Sequence, residues 1–403
     1  MKIVAVIGGG ASGMTAALTA AEDKNNRVVL FERQQRPARK LLATGNGRCN
    51  LTNTHASPKN YHGEQAGFSD AVLAKFTPAD TLDFFHALGL LTVEEYGGRV
   101  YPLSNSANSV ADVLRFALER AGVEMRTAEP VRELKRNGKT YSVISDNGTL
   151  NADFIILACG GAAGAKLGGV PDGYKLLGDL GHKRTKLYPA LVQLVADSEY
   201  PRALKGVRAD CALKLIIGGE TAAESRGELQ FTDNGVSGPA AFDISRAASL
   251  SGDNARLRID FMREYSLEQV ENILLSRCRA LPQLETAQLF TGMLHNRLGR
   301  MLVKYSALPA AAPLSELSKE QIRQAAKSCK EFSLKLIGTE GFDSAQVTAG
   351  GIKTSGFDPS TLQSWFNPGL FACGEVLDVD GDCGGYNLQW AWASGRTAGR
   401  LGK

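Results

Sequence analysis

The first two strands of this chain and the glycines between them constrain it most. A short apolar strand signal, Lys2–Ile7, runs directly into Gly8-Gly9-Gly10-Ala11-Ser12-Gly13, and an alanine-rich helical run follows over 14–22. Residues 28–31 give a second apolar strand, so strand, glycine turn, helix and strand follow one another as in a βαβ unit with a Gly-x-Gly-x-x-Gly junction. Each glycine has its own task there. Gly8 permits the tight turn, Gly10 lets backbone approach a pyrophosphate, and Gly13 lets helix and strand pack closely. The free N–H groups around Ala11 and Ser12, with the positive end of the helix dipole, favour an anion. Glu32, followed by Arg33, ends the second strand about 20 residues on, where a carboxylate can accept two hydrogen bonds from a ribose diol and disfavours a 2′-phosphate. This unit alone does not separate FAD from NAD.

The 403 residues suggest two or three domains, and the 44 glycines suggest many places where backbone approaches something closely. A formal charge of +4 falls short of the dense basic stripe expected of a nucleic-acid-binding chain. Seven cysteines without a Cys-x-x-Cys pair imply neither a disulfide framework nor a zinc ribbon, and a reducing cytoplasm is expected. The histidines at 55, 62, 86, 182 and 295 lack metal-like spacing, so no metal is expected. No run approaches the roughly 20 apolar residues of a membrane-spanning helix, and no membrane partner is expected.

Beyond the βαβ unit, residues 34–57 read as a long ordered loop over a ligand. Helices are expected at 69–88 and 109–121. Residues 123–157 read as a β-meander with Asn137-Gly138 and Asn147-Gly148 turns, returning to the sheet through Phe154–Leu157. After Tyr188-Pro189 the texture becomes short strands to about 261, then helical runs over 266–335 with an Ala-Pro linker at 308–314. Residues 191–338 are therefore expected as an inserted domain, strand-rich over 191–262 and helical over 263–338. Residues 1–190 and 339–403 form the discontinuous nucleotide-binding domain, which ends in a helical run over 387–401.

Two further segments turn the reading toward a flavin. Residues 40–53 combine Lys40, Gly45, Gly47, Arg48, Cys49 and Asn50 without hydrophobic period. The cations can neutralise a diphosphate, and the glycines admit backbone close to a flat ring. Residues 369–376 form an apolar strand ending in Gly374 and Glu375, whose carboxylate can hydrogen-bond a ribityl hydroxyl. In Gly384-Gly385-Tyr386-Asn387-Leu388 two glycines precede a helix, whose N–H groups can point at the ring edge where negative charge gathers on reduction. Val131 and Gly160 complete the expected cofactor contacts, Gly160 where the chain crosses beside FAD. The glycines at 160–164 lack the helix and strand of a second nucleotide unit, so NAD(P)H as electron donor would bind without a Rossmann domain of its own.

On these residues the chain resembles the BaiN/YhiN-type NAD(P)/FAD-dependent oxidoreductases, also called the aminoacetone oxidase family of FAD-binding enzymes, over nearly its whole length. Besides the fingerprint, the resemblance rests on Thr44-Gly45-x-Gly47-Arg48-Cys49-Asn50-x-Thr52-Asn53 and Gly227-Glu228-Leu229-x-Phe231-Thr232-x-x-Gly235-x-Ser237-Gly238-Pro239. Val347-Thr348-Ala349-Gly350-Gly351 and the glycine-rich run from Gly374 to Gln389 complete it. Asp233 stands where this family often has His, and Ser364-Trp365 where it often has Ser-Lys. The resemblance implies an α/β fold: a three-layer Rossmann-type FAD-binding domain with a β-meander, interrupted by an inserted β-barrel plus helical domain.

The activity implied is that of an FAD-dependent oxidoreductase holding FAD non-covalently and passing hydride from reduced flavin to a conjugated C=C bond of a small or steroid-like molecule. The family also implies reduction of a uridine in ribosomal RNA, and its label an amine oxidase; a non-catalytic flavin-binding regulatory protein is a further alternative. Arg297, Arg300 and Lys304 on one helical face, with Arg202, Lys205 and Arg208, motivate the RNA alternative. No catalytic residue is assigned: Cys49 and Cys383 lie in flavin-facing segments, but inert buried thiols are commoner.

Overall fold

The apolar run Lys2–Ile7 becomes the central strand of a five-stranded parallel sheet ordered Leu370–Ala372, Phe154–Leu157, Lys2–Ile7, Asn26–Phe31, Glu124–Arg126. Val4, Ala5 and Val6 are fully buried, as a parallel strand covered on both faces requires. The computed structural model describes residues 1–252 and 254–403. Two units are distinguished, one of residues 1–189 and 342–403 and one of 190–341.

In the first unit the helix Ala11–Ala20 connects Lys2–Ile7 to its parallel neighbour, with Ile7 opposite Phe31. The last helix, Tyr386–Gly399, lies against it closely enough that small residues are obligatory. A Cβ on Gly395 would come 2.4 Å from the Ser12 carbonyl oxygen, and one on Gly399 2.6 Å from that of Ala16. The C-terminal segment thereby returns to the N-terminal strand. The meander forms as a three-stranded antiparallel sheet of Val131–Asn137, Thr140–Ser145 and Gly148–Ala152.

The expected helix at 69–88 is two helices, Asp70–Lys75 and Pro78–Ala87. Proline cannot donate to a preceding turn, and Thr77 accepts from the Asp80 N–H at 3.3 Å, so a new helix begins there.

The second unit holds a closed barrel of Leu194–Ala196, Gly235–Ser237, Glu220–Phe231, Arg208–Ile217, Ala255–Asp260 and Phe332–Thr339. Residues 332–338, expected within the helical part of the insert, lie in its last strand. Phe332, Leu334 and Leu336 are buried at every second position, a period only a strand can use. Helices Pro239–Ser251, Leu267–Ala280, Asn296–Tyr305 and Lys319–Lys330 belong to the same unit. Together the parallel Rossmann-type sheet and the closed barrel give the α/β class.

Candidate functional site

The three glycines of the fingerprint face different surroundings. A Cβ on Gly8 would sit 2.3 Å from the Ala158 carbonyl oxygen, and one on Gly13 1.8 Å from that of Gly8, so packing itself excludes a side chain at both. A Cβ on Gly10 would meet nothing within 4 Å. That open space lies at the N-terminus of Ala11–Ala20, which no side chain caps, so the orphan N–H groups of its first turn have no side-chain acceptor. Gly160, at φ +73°, also faces open space. Cleared backbone, free donors and a positive dipole end fit a pyrophosphate.

Glu32 is buried at the end of its strand. Its Oε2 accepts from Gly9 N–H at 2.8 Å and its Oε1 from Gln34 N–H at 2.7 Å. Burial nonetheless raises the carboxyl above its ordinary range. Each oxygen keeps a lone pair for a diol. Arg33 lies 3.7 Å from Asp172. Val131 is buried at the head of the meander, opposite Ser145.

Residues far apart in the chain meet beside the fingerprint. A Cβ on Gly374 would come 2.4 Å from Ser12 Oγ. Glu375 accepts from Thr348 N–H at 2.8 Å through Oε1 and pairs with Lys40 at 2.7 Å through Oε2. Lys40 thus tethers the 39–43 segment to the C-terminal strand end. Arg48 is engaged by Glu95 and Asn105 and lies 4.0 Å over the Tyr101 ring. Cys49 is fully buried, and burial pushes its thiol up to about 12, which leaves it inert at neutral pH. Cys383 is half-buried.

A second cluster forms around Gly385. A Cβ there would come 2.5 Å from the Thr52 carbonyl oxygen and 2.9 Å from Asn50 Oδ1. Asn50 Oδ1 is buried without a hydrogen-bond partner, an acceptor in want of a donor. Asn53 Nδ2 donates to the carbonyls of Gly384 at 2.9 Å and Gly97 at 3.1 Å. Asn387 spends its amide on its own loop, accepting from Gly381 N–H at 2.8 Å and donating to Gly381 O at 2.7 Å. Leu388 packs against the core of this unit.

Further contacts join residues to which the sequence assigns no role of their own. Buried Gln389 accepts from Thr52 at 2.6 Å and Thr81 at 2.8 Å and donates to Phe76 O at 2.9 Å. His62 Nε2 lies 2.7 Å from Asp382 Oδ1, a pairing across 320 residues that no local spacing announces. Among the described residues no group of three metal-ligating side chains forms, and no helix is long and apolar enough to cross a membrane.

In the second unit the basic face is largely engaged. Arg297 donates to the carbonyls of Ala203 at 2.6 Å and Lys205 at 3.1 Å. Lys304 pairs with Glu199 at 2.8 Å, Lys205 with Asp233 at 2.6 Å and Arg208 with Glu228 at 3.5 Å.

The chain is 40% identical over 404 residues, 99% of its length and 98% of the relative's, to the 3-dehydro-bile acid delta(4,6)-reductase of Clostridium scindens. It is 29% identical to the ribosomal RNA dihydrouridine synthase of Escherichia coli, over 96% of this chain and 95% of that one. A solved 3-ketosteroid delta1-dehydrogenase from Sterolibacterium denitrificans superposes at a TM-score of 0.49 with 14% identity, covering 99% of both chains. The family model described as the HI0933-like protein Rossmann domain matches residues 2–401. With that pattern met along almost the entire length and its strand, glycine turn and helix in place, the chain belongs to the HI0933-like Rossmann family.

Proposed function

We propose that this protein is an FAD-dependent oxidoreductase that reduces a conjugated C=C bond of a small molecule. The observation that carries the reading is 40% identity along 99% of the chain to a protein named as a delta(4,6)-reductase. The geometry supports it. Gly8, Gly10, Ala11, Ser12 and Gly13, with Gly160, offer the room and donors for a diphosphate. Glu32 offers the ribose acceptor; Arg33 follows it, and the Glu129 N–H, two residues before Val131, donates to the Glu32 carbonyl at 3.0 Å. Gly45, Gly47, Asn50, Gly374, Glu375, Gly385 and Leu388 belong to the segments that would hold the flavin, and Asn50 Oδ1 supplies an acceptor. Lys40, Arg48, Cys49 and Asn387 shape those segments through their own contacts.

When bound, FAD supplies hydride chemistry and the protein supplies position and electrostatics. The N–H groups opening Tyr386–Gly399 favour negative charge beside them. NAD(P)H is the proposed electron donor. The seven cysteines are all free thiols, which suits the reducing cytoplasm.

Ribosomal RNA is the second reading, supported by relatives named ribosomal RNA dihydrouridine synthase at 29% and 26% identity. The engagement of Lys205, Arg208, Arg297 and Lys304 with carboxylates and carbonyls weakens it, since RNA would have to displace those partners.

The purified protein should be yellow, be bleached anaerobically by NADH or NADPH, and regain its colour when a conjugated enone such as 2-cyclohexenone is added without oxygen. Recovery of colour with uridine-containing ribosomal RNA and with no enone would favour the second reading. A colourless protein that takes up no added FAD would overturn both.

A further inference from the structure

Reduction of a conjugated bond consumes a proton as well as two electrons, and the residues assigned above are poor sources of one. Glu32 and Glu375 are bonded through both oxygens, and burial holds the Cys49 thiol at about 12. The histidines divide sharply. His182 stacks on Phe357 with ring centroids 4.4 Å apart, and burial depresses it to about 4, so it stays neutral. His295 accepts from Arg297 N–H at the head of its own helix, His86 is bonded to Thr92, and His55 is exposed and, among the described residues, bonded only through its backbone N–H, to Asn53.

His62 is arranged differently. Its Nε2 lies 2.7 Å from Asp382 Oδ1, while the other carboxylate oxygen accepts from Asn60 Nδ2 at 3.0 Å. The backbone repeats the link: Asp380 stands opposite His62, and the Asp382 N–H donates to Asn60 O at 3.0 Å. Asp382 therefore cannot drift, and the ring it holds is fixed through one nitrogen. The second nitrogen, Nδ1, has no hydrogen-bond partner among the described residues. With its side chain 35% exposed, the ring is open to solvent and to a small acceptor. Asp382 precedes the Gly384-Gly385 turn by two residues, and the hydroxyl of Tyr61, next to His62, donates to the Tyr386 carbonyl at 3.2 Å, which sets the pair beside the segment proposed to hold the flavin ring. The other ionisable groups around this ladder are Asp378, Asp380, Tyr61, Tyr386, and Glu64 with its partner Lys353.

We propose that His62, oriented by Asp382, is the proton donor of the reaction; this rests on the reductase reading of the site. Bound FAD, reduced beforehand by NAD(P)H, would supply hydride to one alkene carbon of a conjugated enone. The π pair moves onto the carbonyl as an enolate. The α-carbon then bonds to the imidazolium proton of His62 as that N–H bond breaks, and the neutral ring recovers a proton from solvent.

The test uses the FAD-loaded protein. His62→Gln and His62→Ala should keep FAD and keep Tm within ~2 °C of the unmodified protein, because the side chain is partly exposed. Both should be reduced by NAD(P)H at an unchanged rate. Anaerobic reoxidation by 2-cyclohexenone should slow about 100-fold in each, and added imidazole should restore part of the rate to His62→Ala. Asp382→Asn should slow the same step about 10-fold, and His86→Gln should leave it unchanged. Without turnover, binding of phenol, whose anion mimics the enolate, should weaken at least about 5-fold in His62→Ala when followed by the flavin absorbance. Reoxidation of both His62 variants at the unmodified rate would overturn the assignment while leaving the reductase reading intact. If 2-cyclohexenone and steroid enones fail to reoxidise even the unmodified protein, the reductase reading and this donor fall together.

Discussion

The glycine turn at 8–13 and the turn at Gly384-Gly385 each launch a helix of the same unit, and the two helices pack on each other. The first turn is demanded by neighbours in its own βαβ unit and the strand beside it: Gly8 by Ala158, Gly13 by Gly8. The second is demanded by residues more than 300 positions away, since Gly385 is pressed against Thr52 and Asn53 bonds to Gly384. A motif read along the chain captures the first kind. For the second kind the sequence marks a glycine turn ahead of a helix, but not the distant residues that press on it.

Substitutions that separate packing from ligand clearance sharpen this contrast. The largest effect is expected from Gly13→Val, whose Cβ would lie 1.8 Å from a carbonyl oxygen. A loss of more than about 4 kcal/mol should leave little folded protein, measured by urea unfolding and soluble yield. Gly385→Ala, at φ +101° and 2.5 Å from the Thr52 carbonyl oxygen, should cost roughly 2–4 kcal/mol. If it unfolds no earlier than the unmodified protein, the second turn is not tertiary-determined as argued.

His182 extends the contrast to a residue fixed wholly by distant partners, Ser364 at 2.9 Å and the Phe357 ring. Its folded value of about 4 lies below the ordinary 6.5, so the stability it contributes is present above pH 6.5 and is lost as pH falls toward 4. His182→Gln should remove up to roughly 3 kcal/mol of the acid-side loss, visible as a flatter profile in urea melts between pH 7 and 4.5. Gly10→Ala should do least to the fold. With nothing within 4 Å of the new Cβ, stability without FAD should change by under about 0.5 kcal/mol, while FAD affinity falls at least about 10-fold in a fluorescence titration. Equal losses of stability for Gly10→Ala and Gly13→Val would erase the distinction between them.

The βαβ unit, the fingerprint, Glu32 at the strand end and the returning meander were legible in the order of residues, because strand and helix periods and turn residues act over a few positions. The sequence also indicated that the glycine-rich C-terminal segment matters. Folding was needed to bring Lys40 to Glu375 and Arg48 to Glu95. It also decided that Asn387 closes its own loop, that residues 332–339 complete the barrel, and that His62 meets Asp382. A side chain's partner is set by which groups folding brings within about 3 Å, and that juxtaposition leaves no periodic trace in the order of the residues.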